Sequence, residues 1–184
     1  RRPEMALKAT IYKAELNIAD MDRHYYADHA LTIALHPSET DERMMARVLA
    51  FALYADQNPS FTKGLFDVDE PELWARDLTD AITLWIDLGQ PDETRLKRAC
   101  ARAEKVVALC YGGGCERWWA GVADKLARLS NLEVRQLSPA SSQALAALAQ
   151  RGMKLQCLIQ DGEITVHGDA GEVRVELTTL KPGR

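Results

Sequence analysis

No apolar run in the sequence approaches the ~20 residues that a membrane-crossing helix needs. The opening RRPEMALKATIY also lacks the apolar centre of an export signal. A cytoplasmic protein is therefore expected, with Met5 as its natural start and Arg1 to Glu4 lying upstream of it. Cysteine is scarce, and Cys100, Cys110, Cys115 and Cys157 form no CxxC and have no histidine at zinc-finger spacing. All four are expected to be reduced, with Cys100 and Cys157 as small core residues. His24, His29, His36 and His167 are scattered without partner spacing. Repeats, low-complexity tracts and long Pro/Gly/Ser linkers are absent, so residues 5–184 read as one domain. Positive charge is not in excess: a net charge of −4 gives no general pull toward nucleic acid, and any polyanion has to meet a local basic patch. The triple glycine at 112–114 lacks the GK[ST] ending of a phosphate loop and reads as a flexible turn.

What is present is 47% hydrophobic and 27% charged residues, the balance of a globular chain able to bury a core. ALKATIYKAELNIAD and YYADHALTIALHP both alternate apolar and polar residues around the turn DMDRH, which predicts a long antiparallel hairpin over 6–35. HPSETDERMMARVLAFALYADQ predicts a helix capped at Ser38, with Met45, Val48, Leu49 and Ala52 on its core face. Glu42 lies at the margin of that face and Glu39 points outward. Residues 61–66 suit a short strand and 67–72 an acidic loop. In AITLWIDLG the period changes to two, putting Ile82, Leu84, Ile86 and Leu88 on one side and Thr83, Trp85 and Asp87 on the other. Pro91 opens a second helix running to about Glu104. KVVALCYG, CERWWAGVADKLARL, LEVRQLS and PASSQALAALAQ then alternate strand and helix, an order that implies a parallel α/β centre. The tail MKLQCLIQDGEITVHGDAGEVRVELTTL predicts three strands with hairpin turns at Asp161-Gly162 and Asp169 to Gly171.

The chemistry centres on LWIDLGQPDETRLKR. In an open parallel sheet, ligands bind beyond the carboxyl ends of the strands, where Asp87 stands just before Gly89 and Pro91. Glu42, Asp67, Asp69, Glu70 and Glu72 are the carboxylates in reach by sequence order. Mg²⁺ asks for one or two carboxylates with water and phosphate, and such an ion activates water for phosphodiester hydrolysis. On the second helix Arg95, Arg98, Arg102 and Lys105 recur at three- and four-residue steps as a stripe for nucleic-acid phosphate. Lys97 falls on the other flank. The plain alternatives are a strand-end Asp87 beside a solvated loop, a solvated helix face, and an i,i+4 Glu93–Lys97 pair.

HPSETDERMM, FTKGL, DEPELW, LWIDLGQPDETRLKRA and the IQDGEI hairpin, in that order after MALKATIYKA, resemble the bacterial YaeQ family over the chain from Met5. The resemblance implies a restriction-endonuclease-like α/β fold of the PD-(D/E)XK type: a mixed sheet with a parallel centre flanked by helices, and antiparallel strands at both chain ends. It further implies a metal site for Mg²⁺ or Mn²⁺ at Glu42, Glu72 and Asp87, with Glu72 preferred to Glu70 because Pro71-Glu72 echoes the P-D order. The motif's lysine falls on Gly89, so the cation has to come from Lys97 or Lys63, or Gln90 has to place the water without charge. On this reading Asp87, Glu72, Lys97 and Gln90 form the reacting set, and Arg95, Arg98, Arg102 and Lys63 hold nucleic acid. Two functions follow: a divalent-metal nuclease, and a non-catalytic module that binds nucleic acid or a transcription-related protein through a vestigial site; the acidic net charge favours a third, hydrolysis of a small phosphorylated metabolite.

Overall fold

Period-two patterning builds the first element pair in this computed structural model, which describes residues 8–62 and 69–184. Strands β1 (Thr10–Asp20) and β2 (Tyr25–Leu35) pair antiparallel along their full lengths, as the sequence predicts. Ala14, Leu16, Ile18, Leu31 and Ile33 face inward, and Glu15, Asn17 and Asp28 face out.

Apart from the last strand, the antiparallel ends of the chain do not extend the central sheet. They build a sheet of their own. Strands β8 (Gly152–Gln160), β9 (Glu163–Gly168) and β10 (Gly171–Val175) join the hairpin in a five-stranded sheet ordered β10-β9-β8-β1-β2, with β8 parallel to β1. The second sheet has six strands in the order β11-β7-β6-β5-β4-β3. Its strands are β3 (Ser60–Phe61), β4 (Leu73–Arg76), β5 (Ile82–Leu88), β6 (Ala103–Cys110), β7 (Leu132–Leu137) and β11 (Leu177–Lys181). β5, β6 and β7 are the expected parallel centre, crossed over by α2 (Glu93–Arg102) and α3 (Cys115–Leu126). The tail thus holds four strands, because the chain changes sheet at Glu176. There the Glu176 carbonyl accepts from the Ser138 amide at 3.0 Å and its amide donates to Ser141 Oγ at 2.8 Å.

Helices α1 (Asp41–Leu53) and α4 (Pro139–Ala146) lie between the sheets, sharing one core with the inner face of each. A second core, around Trp85, Leu96, Val106 and Val134, sits under α2 and α3. The layers therefore run sheet, helix, sheet, helix. A helix covered on two sides must be apolar nearly all round. Every residue of α1 from Met44 to Leu53 is accordingly buried, Arg47 included.

Local chemistry moves several predicted boundaries. Thr40, not Ser38, caps α1 by accepting from the Arg43 amide. Asp92, not Pro91, caps α2, which ends at Arg102. Lys105 therefore sits on β6 and leaves the predicted stripe. Pairing jumps from Ala75–Leu84 to Arg76–Ile82, so Thr83 is inserted and Ile82 turns to the second core. Cys110 ends β6 and Cys115 begins α3; the turn brings their Cα atoms within 5.9 Å and the two form a disulfide, against the expectation of four thiols. Cys100 and Cys157 are free, and Cys157 is buried as predicted.

Tyr54, buried at the end of α1, donates to Glu133 at 3.2 Å, and burial pushes its pKa up to about 12. An unfolded tyrosine ionises near ~10, so this group's stabilisation is complete below that pH and is lost as the pH rises through the folded value. Burial pushes Cys157 in the same direction, also to about 12. The urea midpoint should fall over this alkaline window, and Tyr54→Phe should flatten part of the fall; an identical profile in the variant would remove Tyr54 as a cause.

Candidate functional site

The carboxyl end of the six-stranded sheet gathers acids and arginines from four segments. On β5, alternation turns Asp87 toward α2 and leaves it 3% exposed. Gly89 then makes the turn with φ +86°, and Asp92 caps α2 by accepting from the Arg95 amide at 2.8 Å. Helical side chains lean toward the N-terminus. Arg95 in the first turn of α2 thus reaches back and clamps Asp87 through two bonds, Nε to Oδ2 at 2.8 Å and Nη2 to Oδ1 at 3.0 Å. Its Nη2 also donates to the Glu70 carbonyl at 2.8 Å. The Asp87 hydrogen bond holds the Arg95 pKa above its ordinary value.

Glu72 is brought beside β5 by its amide, which donates to the Ile86 carbonyl at 3.0 Å. Its carboxylate, 5% exposed, is gripped by two guanidiniums from α1. Arg43 binds Oε1 through Nε at 3.0 Å and also through Nη2; Arg47 binds Oε2 through Nε at 3.1 Å. Burial works to lower the Arg43 pKa, but Glu72 outweighs it and the group lies above its usual value. Arg47 is also paired with Glu39, whose side chain is buried rather than turned outward. A buried cation on α1 requires carboxylates, and Glu39 and Glu72 are the two that answer Arg47.

The other predicted residues divide. Glu42 turns away from Asp87, accepting from Ser142 Oγ of α4 at 3.0 Å near the close-approaching Gly112. Gln90 donates to the Gly113 carbonyl at 3.1 Å, tying the turn after β5 to the glycine loop. Lys97 is half-exposed and pairs with Glu93 at 3.2 Å, and Glu93 in turn pairs with Lys125 of α3. This is the flank opposite Asp87. Lys63 lies outside the described residues, as does Asp67. Arg98 and Arg102 do follow Arg95 along α2. Arg102 donates to the Asp69 carbonyl at 3.0 Å and lies over the Trp85 ring, while Arg98 is exposed.

Arg43 was not singled out by the sequence, yet a Cβ added at Gly89 would lie 3.4 Å from its Nη1. A cation from α1 therefore stands beside the turn at Gly89. The signal for Arg47 was legible: a charge between Ala46 and Val48 on a helix that is otherwise apolar from Met44 to Leu53. Nothing in the spacing of Arg95 separates it from Arg98.

A family model described as YaeQ protein matches residues 5–177. The chain belongs to the YaeQ family. It is 47% identical to the uncharacterized protein YaeQ of Escherichia coli K12 over 175 residues, covering 95% of this chain and 97% of that one. The crystal structure of YaeQ from Xanthomonas axonopodis pv. citri matches with a TM-score of 0.90 at 50% identity, over 94% of this chain and 98% of that one. That of YaeQ from Pseudomonas syringae has the same TM-score at 38% identity, over 95% and 97%. The mixed α/β fold is thus the fold of YaeQ structures.

Removing one partner of a buried ion pair strands the other. Arg47→Ala should cost about 3–5 kcal/mol in urea unfolding, whereas Lys97→Ala, at an exposed pair, should stay within about 1 kcal/mol. Equal costs would contradict the burial of the first network.

Proposed function

We propose that this YaeQ-family chain binds nucleic-acid phosphate along the flank of α2 and does not hydrolyse it. On this reading its nuclease-like core is closed by salt bridges where a PD-(D/E)XK enzyme gathers its ion. The observation that carries this is the state of the acids. Asp87 is held bidentately by Arg95, Glu72 by Arg43 and Arg47, and Glu42 is directed to Ser142. Among the described residues no three His, Cys, Asp or Glu side chains come together as a group that could hold an ion. Mg²⁺ or Mn²⁺ takes oxygen ligands in near-octahedral array and would have to expel Arg95 to reach Asp87. As arranged, the residues do not fit a resident ion, and no step is derived through one.

The binding half of the proposal rests on Arg98 and Arg102. They lie one turn apart, and unlike Arg95 neither pairs with a carboxylate among the described residues. Two uncompensated guanidiniums on one helix flank form the local patch that an acidic protein needs to meet a polyanion. Arg95 contributes by position, since its own charge is answered by Asp87.

Two assays on the same preparations test both halves. Mixed DNA and RNA incubated with Mg²⁺ or Mn²⁺ should stay intact, and cleavage abolished by Asp87→Ala would establish the nuclease instead. Retention of nucleic acid should weaken with salt and drop by about tenfold, ~1.4 kcal/mol, in the double variant Arg98→Ala with Arg102→Ala. Unchanged retention would return the flank to solvent.

A further inference from the structure

Between α2 and the segment at Asp69 lies a cleft of about 530 Å³, lined by Trp85, Thr94, Arg98 and Arg102 among others. This is the size of a small-ligand site, and it is a recess rather than a ridge. We infer that the cleft takes one splayed nucleotide, which makes the ligand single-stranded nucleic acid and not a duplex. The inference rests on the nucleic-acid reading above and names which form is bound.

Three features point the same way. First, the uncompensated cations flank the recess: Arg98 is exposed, and Arg102 is tied to a backbone carbonyl rather than a carboxylate. A phosphate has two guanidiniums to meet. Second, Trp85 is 2% exposed, and its Nε1–H is buried with no acceptor among the described residues. Buried donors are nearly always satisfied, and a ligand in the cleft that Trp85 lines brings oxygen and ring nitrogen acceptors to this one. Third, the Arg102 guanidinium carbon sits 5.1 Å from the Trp85 ring centroid. An arginine backed by an indole is a platform on which an unstacked base can lie.

A duplex keeps its bases stacked inside and offers only backbone, so it touches the outer tips of α2 and leaves the recess empty. Asp69 and Asp92 also line the cleft, the first through the carbonyl that Arg102 meets and the second as the cap of α2. Two guanidiniums make a small patch, so binding by bulk attraction of a polyanion is weak here. A stacked base and one or two phosphates must carry it. A larger groove of about 730 Å³ crosses the outer face of the five-stranded sheet. Its Asn17 and Asp28 already satisfy each other at 2.7 Å, and it faces away from α2.

The test is fluorescence anisotropy with a labelled mixed-sequence oligonucleotide, as DNA and as RNA, alone and annealed to its complement, at several salt concentrations. The single strand should bind at least about tenfold more tightly than the duplex. Its log K against log salt should slope by only about −0.7 to −1.4, for one or two phosphates at ~0.7 each. Arg102→Ala, a change at an exposed residue, should remove about tenfold from single-strand binding and leave the duplex unaltered. Duplex binding as tight as the single strand, a steep slope, or equal loss on both forms would overturn the inference and leave phosphate binding on α2 standing. Binding of neither form would overturn both.

Discussion

A carboxylate taken out of water must keep a counter-charge or lose its own charge, and the end of the six-stranded sheet is arranged around that constraint. Asp87 and Glu72 are nearly inaccessible. Each is answered by arginine, the cation that stays protonated when buried and matches a carboxylate with two parallel bonds. The consequence spreads outward. Arg47 can occupy the middle of a helix packed between two sheets because Glu72 and Glu39 reach it from either side. Arg95 fixes the first turn of α2 to the end of β5, and Arg43 ties α1 to the segment leading into β4. The ion pairs are thus the joints by which two helices and two strands meet at one point.

This point lies where an open parallel sheet ordinarily presents a ligand site. Here the acids face guanidiniums at hydrogen-bonding distance, and the cation beside Gly89 comes from α1 rather than from the strand. A site closed in this way leaves the neighbouring flank of α2 as the place where guanidiniums face outward. There Arg98 and Arg102 pair with no carboxylate among the described residues. The division of labour among Arg95, Arg98 and Arg102 is one of register: the first sits in the opening turn and reaches the strand end, and the next two lie farther along and face the cleft.

Much of the framework was legible in the sequence, because period two and period three-to-four patterns report which faces are buried. The hairpin, the parallel run β5-β6-β7, the four helices and the Asp161-Gly162 turn all follow from such patterns. The assignment of strands to two sheets was not legible. An alternating strand tells which face is wet but not which partner lies alongside, and β11 continues the alternation of β10 across a change of sheet. The Cys110–Cys115 bridge depends on how sharply the glycine turn closes. In the site, the strand pattern singled out Asp87 and the family resemblance Glu72, and both lie beside the end of β5. The pattern could not show that Asp87 is one half of a buried pair with Arg95 rather than a solvated strand end. Long flexible side chains decide that, and Glu39, placed on an outward helix position by periodicity, turns inward because Arg47 draws it.

The central claim concerns what occupies the oxygens of Asp87 and Glu72, so the most direct measurement is an anomalous-scattering map from a crystal of this protein soaked in manganese. The account predicts no peak at coordination distance from either carboxylate, with Arg95 still clamped across Asp87. A strong peak shared by Asp87 and Glu72, with the Arg95 guanidinium swung out of the site, would contradict it.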